Sequence, residues 1–220
     1  MKYFKNRVDA GRQLASALKP VSKGAIVLAI PRGGLVVGFE VAKALGVPLD
    51  IVITRKIGAP DNPELAIGAV AEDGTAILDD ELVRTLQISR GYISEEVEKQ
   101  KMEIKRRLLR YRGDMPYPIL ENKEVIVVDD GIATGSTLKA AIMSIRKKGA
   151  KKIIVAAPVG PAHTVSELKR IVDKVVCLQT PEPFYAIGEF YDDFEQTEDD
   201  EVIKLLEMSK KHSQAEVVTE

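Results

Sequence analysis

Asp129 and Asp130 follow a run of four β-branched residues, Val125-Ile126-Val127-Val128, and precede Gly131-Ile132-Ala133-Thr134-Gly135-Ser136-Thr137. The apolar run reads as a strand buried on both faces, as in parallel sheets. Leu138, Ala141, Ile142 and Ile145 then share one face of a helix. A strand, a loop of small residues and a helix N-terminus bring backbone N–H groups and a positive dipole end to one point, which suits an anion. The two carboxylates repel a phosphate; they suit hydroxyls that need acceptors, or a divalent cation. A sugar phosphate satisfies both halves. A nucleotide P-loop does not fit, because Gly135 rather than Lys precedes Ser136-Thr137, and the dinucleotide pattern G-x-G-x-x-G does not occur in the chain.

Three further stretches carry chemistry. Pro31-Arg32-Gly33-Gly34 ends the apolar run Ala25–Ile30; its glycines let amides approach an anion closely, and Arg32 offers a forked cation. Arg55-Lys56 sits at the end of a predicted strand, Leu49 to Thr54, either as an anion contact or as a solubilising pair. Phe184, Tyr185, Phe190, Tyr191 and Phe194, five of the chain's eleven Phe and Tyr, cluster beside acids. Such a patch can stack on a heterocycle or seal a minor core.

The stretch from Val125 to Thr137 resembles the phosphoribosyl-pyrophosphate (PRPP) signature of type I phosphoribosyltransferases: hydrophobic strand, two acids, then Thr-Gly-x-Thr. The resemblance implies that Asp129 and Asp130 hold the ribose hydroxyls, while Ala133, Thr134, Gly135, Ser136 and Thr137 wrap the 5-phosphate. Pro31 to Gly34 resembles the family's pyrophosphate loop, so Arg32, Gly33 and Gly34, with Lys56, are implied to hold the pyrophosphate. The aromatic stretch is similar to the base-binding hood of purine-type members, with Tyr185 three residues before Gly188 and Asp192 four after it. Tyr185 is then the stacking candidate, and Asp192 a base-edge or metal contact. Mg²⁺ is the implied cofactor, held by Asp129, Asp130 and Asp192, partly through PRPP. The implied reaction transfers phosphoribose from PRPP to a nitrogen of a nucleobase-like acceptor and releases pyrophosphate, a step of nucleotide and nucleoside metabolism.

The chain also departs from the pattern. Ala133 stands where hypoxanthine-guanine enzymes carry an Asp, and Ala157-Pro158-Val159 where they use a Lys to read the 6-oxo group. Salvage of those bases is not implied, and the acceptor stays open. The main alternative is a non-catalytic PRPP-sensing regulator. A phosphohydrolase built on Asp129 and Asp130 lacks the D-x-D spacing and further acids it needs.

Positioning these residues calls for an α/β domain, a mostly parallel sheet of about five strands flanked by helices, plus a small hood. Helices are predicted over 7–18, 35–45, 138–149 and 162–172, with strands over 25–30, 49–54, 125–128, 153–159 and 174–178. Between them, about 57–115 is an excursion: a turn-rich stretch 58–64, a hairpin 66–78 and one helix over 81–112. It is a lid or an interface. That helix places Ile93, Val97, Ile104 and Leu108 on one stripe, to pack on the domain or on a second subunit of a homo-oligomer such as a dimer. Its basic end, Lys99 to Arg112, reads as a solvated face rather than a nucleic-acid surface, given a net charge of −1. His163 reads as a capping or surface residue. One domain is expected over 1–208, with 180–200 as the C-terminal hood and 209–220 as a disordered polar tail. Cys177 is the single cysteine, no apolar run approaches a membrane span, and a cytoplasmic protein is expected.

Overall fold

The computed structural model describes residues 3–113 and 115–217. Five parallel strands form the central sheet: β1 (Ile26–Ala29), β2 (Leu49–Ile51), and, numbered on through the chain, β6 (Glu124–Val128), β7 (Lys152–Val159) and β8 (Lys174–Gln179). Their spatial order is β2-β1-β6-β7-β8. Alternate residues of each strand enter different cores, as a pleated strand requires. Val27, Ala29, Ile126 and Val128 pack with helices α1 (Arg7–Leu18) and α2 (Gly33–Leu45) on one face. Ile26, Leu28, Val125 and Val127 pack with α5 (Ser136–Lys147) and α6 (Ala162–Leu168) on the other. Because both faces are covered, the strands carry uninterrupted apolar runs, and this made them legible.

The order of strands places the site. The chain enters at β1, steps outward to β2, then returns to the other side of β1 as β6. The loops leaving β1 and β6 therefore diverge from adjacent strand ends and open a crevice there. Ala29 pairs with Val128, and the Ile30 amide donates to the Val128 carbonyl at 2.8 Å, so both loops start at the same level.

The excursion differs from its expected form. The predicted strand over 49–54 is two strands. β2 ends at Ile51, and β3 (Thr54–Ala59) belongs to a separate antiparallel sheet with β4 (Asn62–Ala71) and β5 (Ala76–Leu78). Arg55 and Lys56 thus lie inside a strand rather than at the tip of one, held by pairing to Val70 and Ala69. The turn-rich stretch shrinks to Pro60-Asp61, since Ala59 already pairs with Asn62. The predicted helix over 81–112 is broken into α3 (Asp80–Thr85) and α4 (Arg90–Arg112). Gln87 takes a left-handed φ of 52° in the break, and Ser89 caps α4 by accepting from the Tyr92 amide. The apolar stripe of α4 packs on the domain itself, with Ile104 buried and Ile93, Val97 and Leu108 against the same core.

The C-terminal region also differs. A last helix, α7 (Asp199–Val217), runs through the segment expected to be a disordered tail, and Ser209 is buried within it. Val202 and Leu206 give α7 its buried face, and Asp199, Asp200 and Glu201 favour its N-terminus. Residues 218–220 of the expected tail lie outside the described residues. α6 ends at Leu168 rather than near Val172, and β8 is the half-buried edge of the sheet, not a buried strand.

Candidate functional site

The acid pair and the glycine loop predicted from sequence meet at the crevice. A Cβ added to Gly33 would overlap Asp130 Oδ2, and one added to Gly34 would lie 2.9 Å from Asp129 Cα. Only residues without a side chain allow the first loop to pass the second this closely. Arg32 precedes them, and the Pro31–Arg32 peptide is cis. Its guanidinium faces the start of α7, with Nη1 3.6 Å from Asp199 and 3.8 Å from Glu198.

The second loop is held from several sides. The Ile132 amide donates to the Val159 carbonyl at 2.8 Å, and Thr164 Oγ1 donates to the Ala133 carbonyl at 3.1 Å. Gly135 takes φ 76°, the left-handed turn that starts α5. Thr134 and Ser136 hydroxyls lie 3.3 Å apart on the loop. The amides of the first turn of α5 are thereby fixed before any anion arrives, which is the requirement for a helix N-terminal phosphate seat. The loop's side chains divide between two cavities. Thr137 borders one of about 640 Å³ together with Pro31 and Lys56. Thr134 and Ser136 border another of about 380 Å³, beside Lys139 and His163.

Asp129 accepts from the Asp130 amide through Oδ1 at 2.9 Å. Burial, and then the neighbouring Asp130 charge, push its carboxyl well above the usual carboxylate range. Asp130 is not an open carboxylate: Arg7 Nε donates to its Oδ2 at 2.7 Å, with both side chains nearly buried. Arg7 is fixed in turn by the Glu195 carbonyl, 2.7 Å from Nη1, and by the Phe194 ring, 3.7 Å from its guanidinium carbon. Tyr191 Oη donates to the Asp130 carbonyl at 2.6 Å, and its phenol is shifted upward by burial and by Asp130.

Arg7 and Tyr191 both contact Asp130, and neither was among the site residues predicted from the sequence. Arg7 lies 123 residues from its partner, and nothing local distinguishes it from Arg12. Tyr191 carried a weak signal as one aromatic of the C-terminal cluster. Most of that cluster builds a small core: Phe4, Phe190 and Tyr191 are buried, with Phe184 and Phe194 packed against them. Tyr185 instead projects from the surface, 79% exposed, two residues before Ile187, which packs on Gly131. Asp192 is exposed, and its amide donates to the Phe4 carbonyl at 2.8 Å. Among the described residues no three His, Cys, Asp or Glu side chains converge as a metal cluster, so Asp192 does not join Asp129 and Asp130 in a shared one. Cys177 is half-buried, and burial raises its thiol to about 11, which leaves it unreactive at neutral pH.

Comparison with known proteins agrees with this geometry. The profile of the phosphoribosyl transferase domain family matches residues 5–195, and the chain belongs to that family. A protein of Mycobacterium tuberculosis (strain ATCC 25618 / H37Rv), provisionally named a phosphoribosyl transferase, is 45% identical over 212 residues. The match covers 96% of this chain and 48% of the relative, so the chain spans about half the length of the curated relatives it matches. The crystal structure of TT1426 from Thermus thermophilus superposes with a TM-score of 0.79 at 38% identity, covering 94% of this chain and 98% of that one. A Neisseria gonorrhoeae protein crystallised with bound ppGpp shares the fold at 15% identity, with a TM-score of 0.50 and coverage of 94% and 96%. Among the described residues no helix is long and apolar enough to cross a membrane.

Proposed function

We propose that the protein transfers the 5-phosphoribosyl group of PRPP to a nitrogen of a nucleobase-like acceptor and releases pyrophosphate. The observation that carries this reading is the meeting of Gly33 and Gly34 with Asp129 and Asp130 at the sheet's switch point, beside the N-terminus of α5. Asp129 and Asp130 accept the ribose hydroxyls. The amides from Ala133 to Thr137, with the hydroxyls of Thr134, Ser136 and Thr137, take the 5-phosphate. Arg32, Gly33, Gly34 and Lys56 take the diphosphate.

In the reaction the bond from C1 to the diphosphate oxygen breaks and a bond from the acceptor nitrogen to C1 forms; the nitrogen loses its proton. Neither acid attacks. Their work is to hold C1 against the acceptor while positive charge develops on the ribose. Asp129 and Asp130, with oxygens of PRPP, would hold Mg²⁺, which would supply counter-charge to the departing diphosphate. Arg32 must exchange Asp199 and Glu198 for the diphosphate. Tyr185 stacks on the acceptor and Asp192 meets its polar edge. A cytoplasmic homo-oligomer suits the reading.

The test is pyrophosphate release from Mg-PRPP with a panel of purine and pyrimidine bases, run beside a PRPP titration. Release with one base establishes the transferase and names the acceptor. Tight binding with no release from any base favours a PRPP-sensing protein or an acceptor outside the panel. No PRPP binding removes the reading altogether.

A further inference from the structure

α4 packs on the core through Ile93, Val97, Ile104 and Leu108, and its opposite side faces water. Gly91, Glu95, Glu98, Met102, Lys105 and Leu109 are all exposed along that side. They recur at alternating spacings of four and three, the rhythm by which one helix packs against another. Two of them are large apolar residues left in solvent: Met102 is 75% exposed and Leu109 62%.

The charges of this face are sorted along the helix. Glu95 and Glu98 lie in its first half, and Lys105, Arg106 and Arg110 in its second. Most have partners within the chain: Glu98 pairs with Lys101 at 2.7 Å, Arg106 with Glu103 at 2.8 Å and Arg110 with Asp199 at 2.6 Å. Among the described residues Glu95 and Lys105 form no ion pair. A stripe acidic at one end, basic at the other and apolar at Met102 is complementary to itself when turned end for end.

We infer that α4 is the interface of a homodimer, in which the same face of two copies pairs antiparallel. In that register Glu95 meets Lys105 of the second copy, and the two-fold axis repeats the contact. Met102 lies over the methylenes of Glu98 of the second copy. Leu109 lies over Gly91 of the second copy, where an added Cβ would approach no side chain closer than the Ser89 hydroxyl at 3.9 Å. Lys99 and Lys101 of both copies come near the axis, and each is already neutralised on its own helix, by Glu96 at 3.2 Å and Glu98 at 2.7 Å. α4 has 23 residues and is roughly 34 Å long. A contact of that size makes a weak, concentration-dependent dimer. Glu96 and Lys99 also border the cavity of about 640 Å³, so pairing sets the second copy beside its outer edge. None of this depends on the PRPP reading.

The test follows the mass of the full chain by sedimentation velocity over a concentration series. The wild type is expected to pass from monomer to dimer as concentration rises. Glu95→Lys and Lys105→Glu each turn two symmetric attractions into two like-charge contacts, and each is expected to weaken the dimer about tenfold or more. Met102→Glu, which would face Glu98 of the second copy, is expected to weaken it by a similar factor. An equimolar mixture of Glu95→Lys and Lys105→Glu carries opposite charges at both contacts and is expected to dimerise about as well as wild type. That recovery cannot come from repair of a folding defect, since neither chain can refold the other. A wild type that stays monomeric throughout, or associates only when nucleic acid is added, overturns the inference. So does a dimer that none of the three variants weakens, because its interface then lies elsewhere, and so does a mixture that fails to recover.

Discussion

The crevice at Asp129 and Asp130 and the start of β3 at Arg55 and Lys56 handle charge in opposite ways. In the crevice the protein supplies the counter-charge itself, as Arg7 pairs with Asp130 at 2.7 Å and is clamped by Glu195 and Phe194. In β3 Arg55 and Lys56 have no ion-pair partner among the described residues. The difference follows from what each would meet. Ribose hydroxyls are neutral and cannot compensate a carboxylate, so an internal cation must hold the acids in place before substrate arrives. On the proposed reading a diphosphate brings its own negative charge, so Lys56 needs no internal partner to meet it.

The largest effect is expected from Gly34→Ala. Its Cβ would stand 2.9 Å from the Asp129 Cα, a backbone atom that cannot rotate away. The two loops must separate, and PRPP affinity measured by titration is expected to fall by about a hundredfold or more, the scale of a misplaced binding geometry. Asp129→Asn combined with Asp130→Asn comes next, with a loss of about tenfold to a hundredfold in PRPP affinity. Unchanged affinity there would remove the ribose assignment.

Arg7→Gln breaks the comparison directly, because it leaves Asp130 nearly buried with no counter-charge. A cost of about 3 kcal/mol is expected, and in a chain of this size that lowers Tm by roughly 6–12 °C. A melt within about 1 °C of wild type would show that the crevice is not internally compensated.

Asp129→Asn alone sharpens it in the other direction. The folded protein holds the Asp129 proton more tightly than the unfolded chain, since its pKa is raised from 3.8. That contribution to stability is complete below the unfolded pKa and is lost as pH rises through the folded value. At neutral pH, far above the unfolded pKa, a carboxyl at this position therefore costs stability, and Asn is expected to raise Tm by about 2–4 °C for each kcal/mol relieved. Near pH 3 the gain should vanish, which a pH series of melts would check. In the wild type, hydroxyls donating to Asp129 favour its ionised form, so PRPP affinity is expected to rise with pH across the same interval. The smallest effect on the fold belongs to Tyr185→Ala: within about 0.5 kcal/mol of stability, as for other surface changes. PRPP affinity should be unaltered and acceptor KM raised.

The parts of this site that could be read in the chain are those whose chemistry is local. From Val125 to Thr137, one buried strand, its acidic end and a helix N-terminus lie within a single run, and Pro31 to Gly34 repeats the plan in brief. What could not be read was set by distant partners. Arg7 gains its meaning only from Asp130. The placement of Arg55 and Lys56 was misjudged because Thr54–Ala59 continues an apolar run, and only pairing with Asn62–Ala71 makes it a separate strand. The break at Gln87 was masked by good helix formers on both sides, although Ser89 offered a cap. The stretch after Ser209 is polar, but it continues α7, whose earlier Val202 and Leu206 pack on the core.

The clamp on Arg7 also orders events during synthesis. Its guanidinium joins Asp130 to the carbonyl of Glu195, which lie 123 and 188 residues along the chain from Arg7. A ribosome delivers every residue of both substrate loops well before it delivers Tyr191, Phe194 and Glu195. A nascent chain stopped at Phe190 would thus contain the complete PRPP signature and still lack the groups that fix Arg7 and Asp130. The proposed PRPP site is in that sense complete only once Glu195 has been made, well after both of its loops.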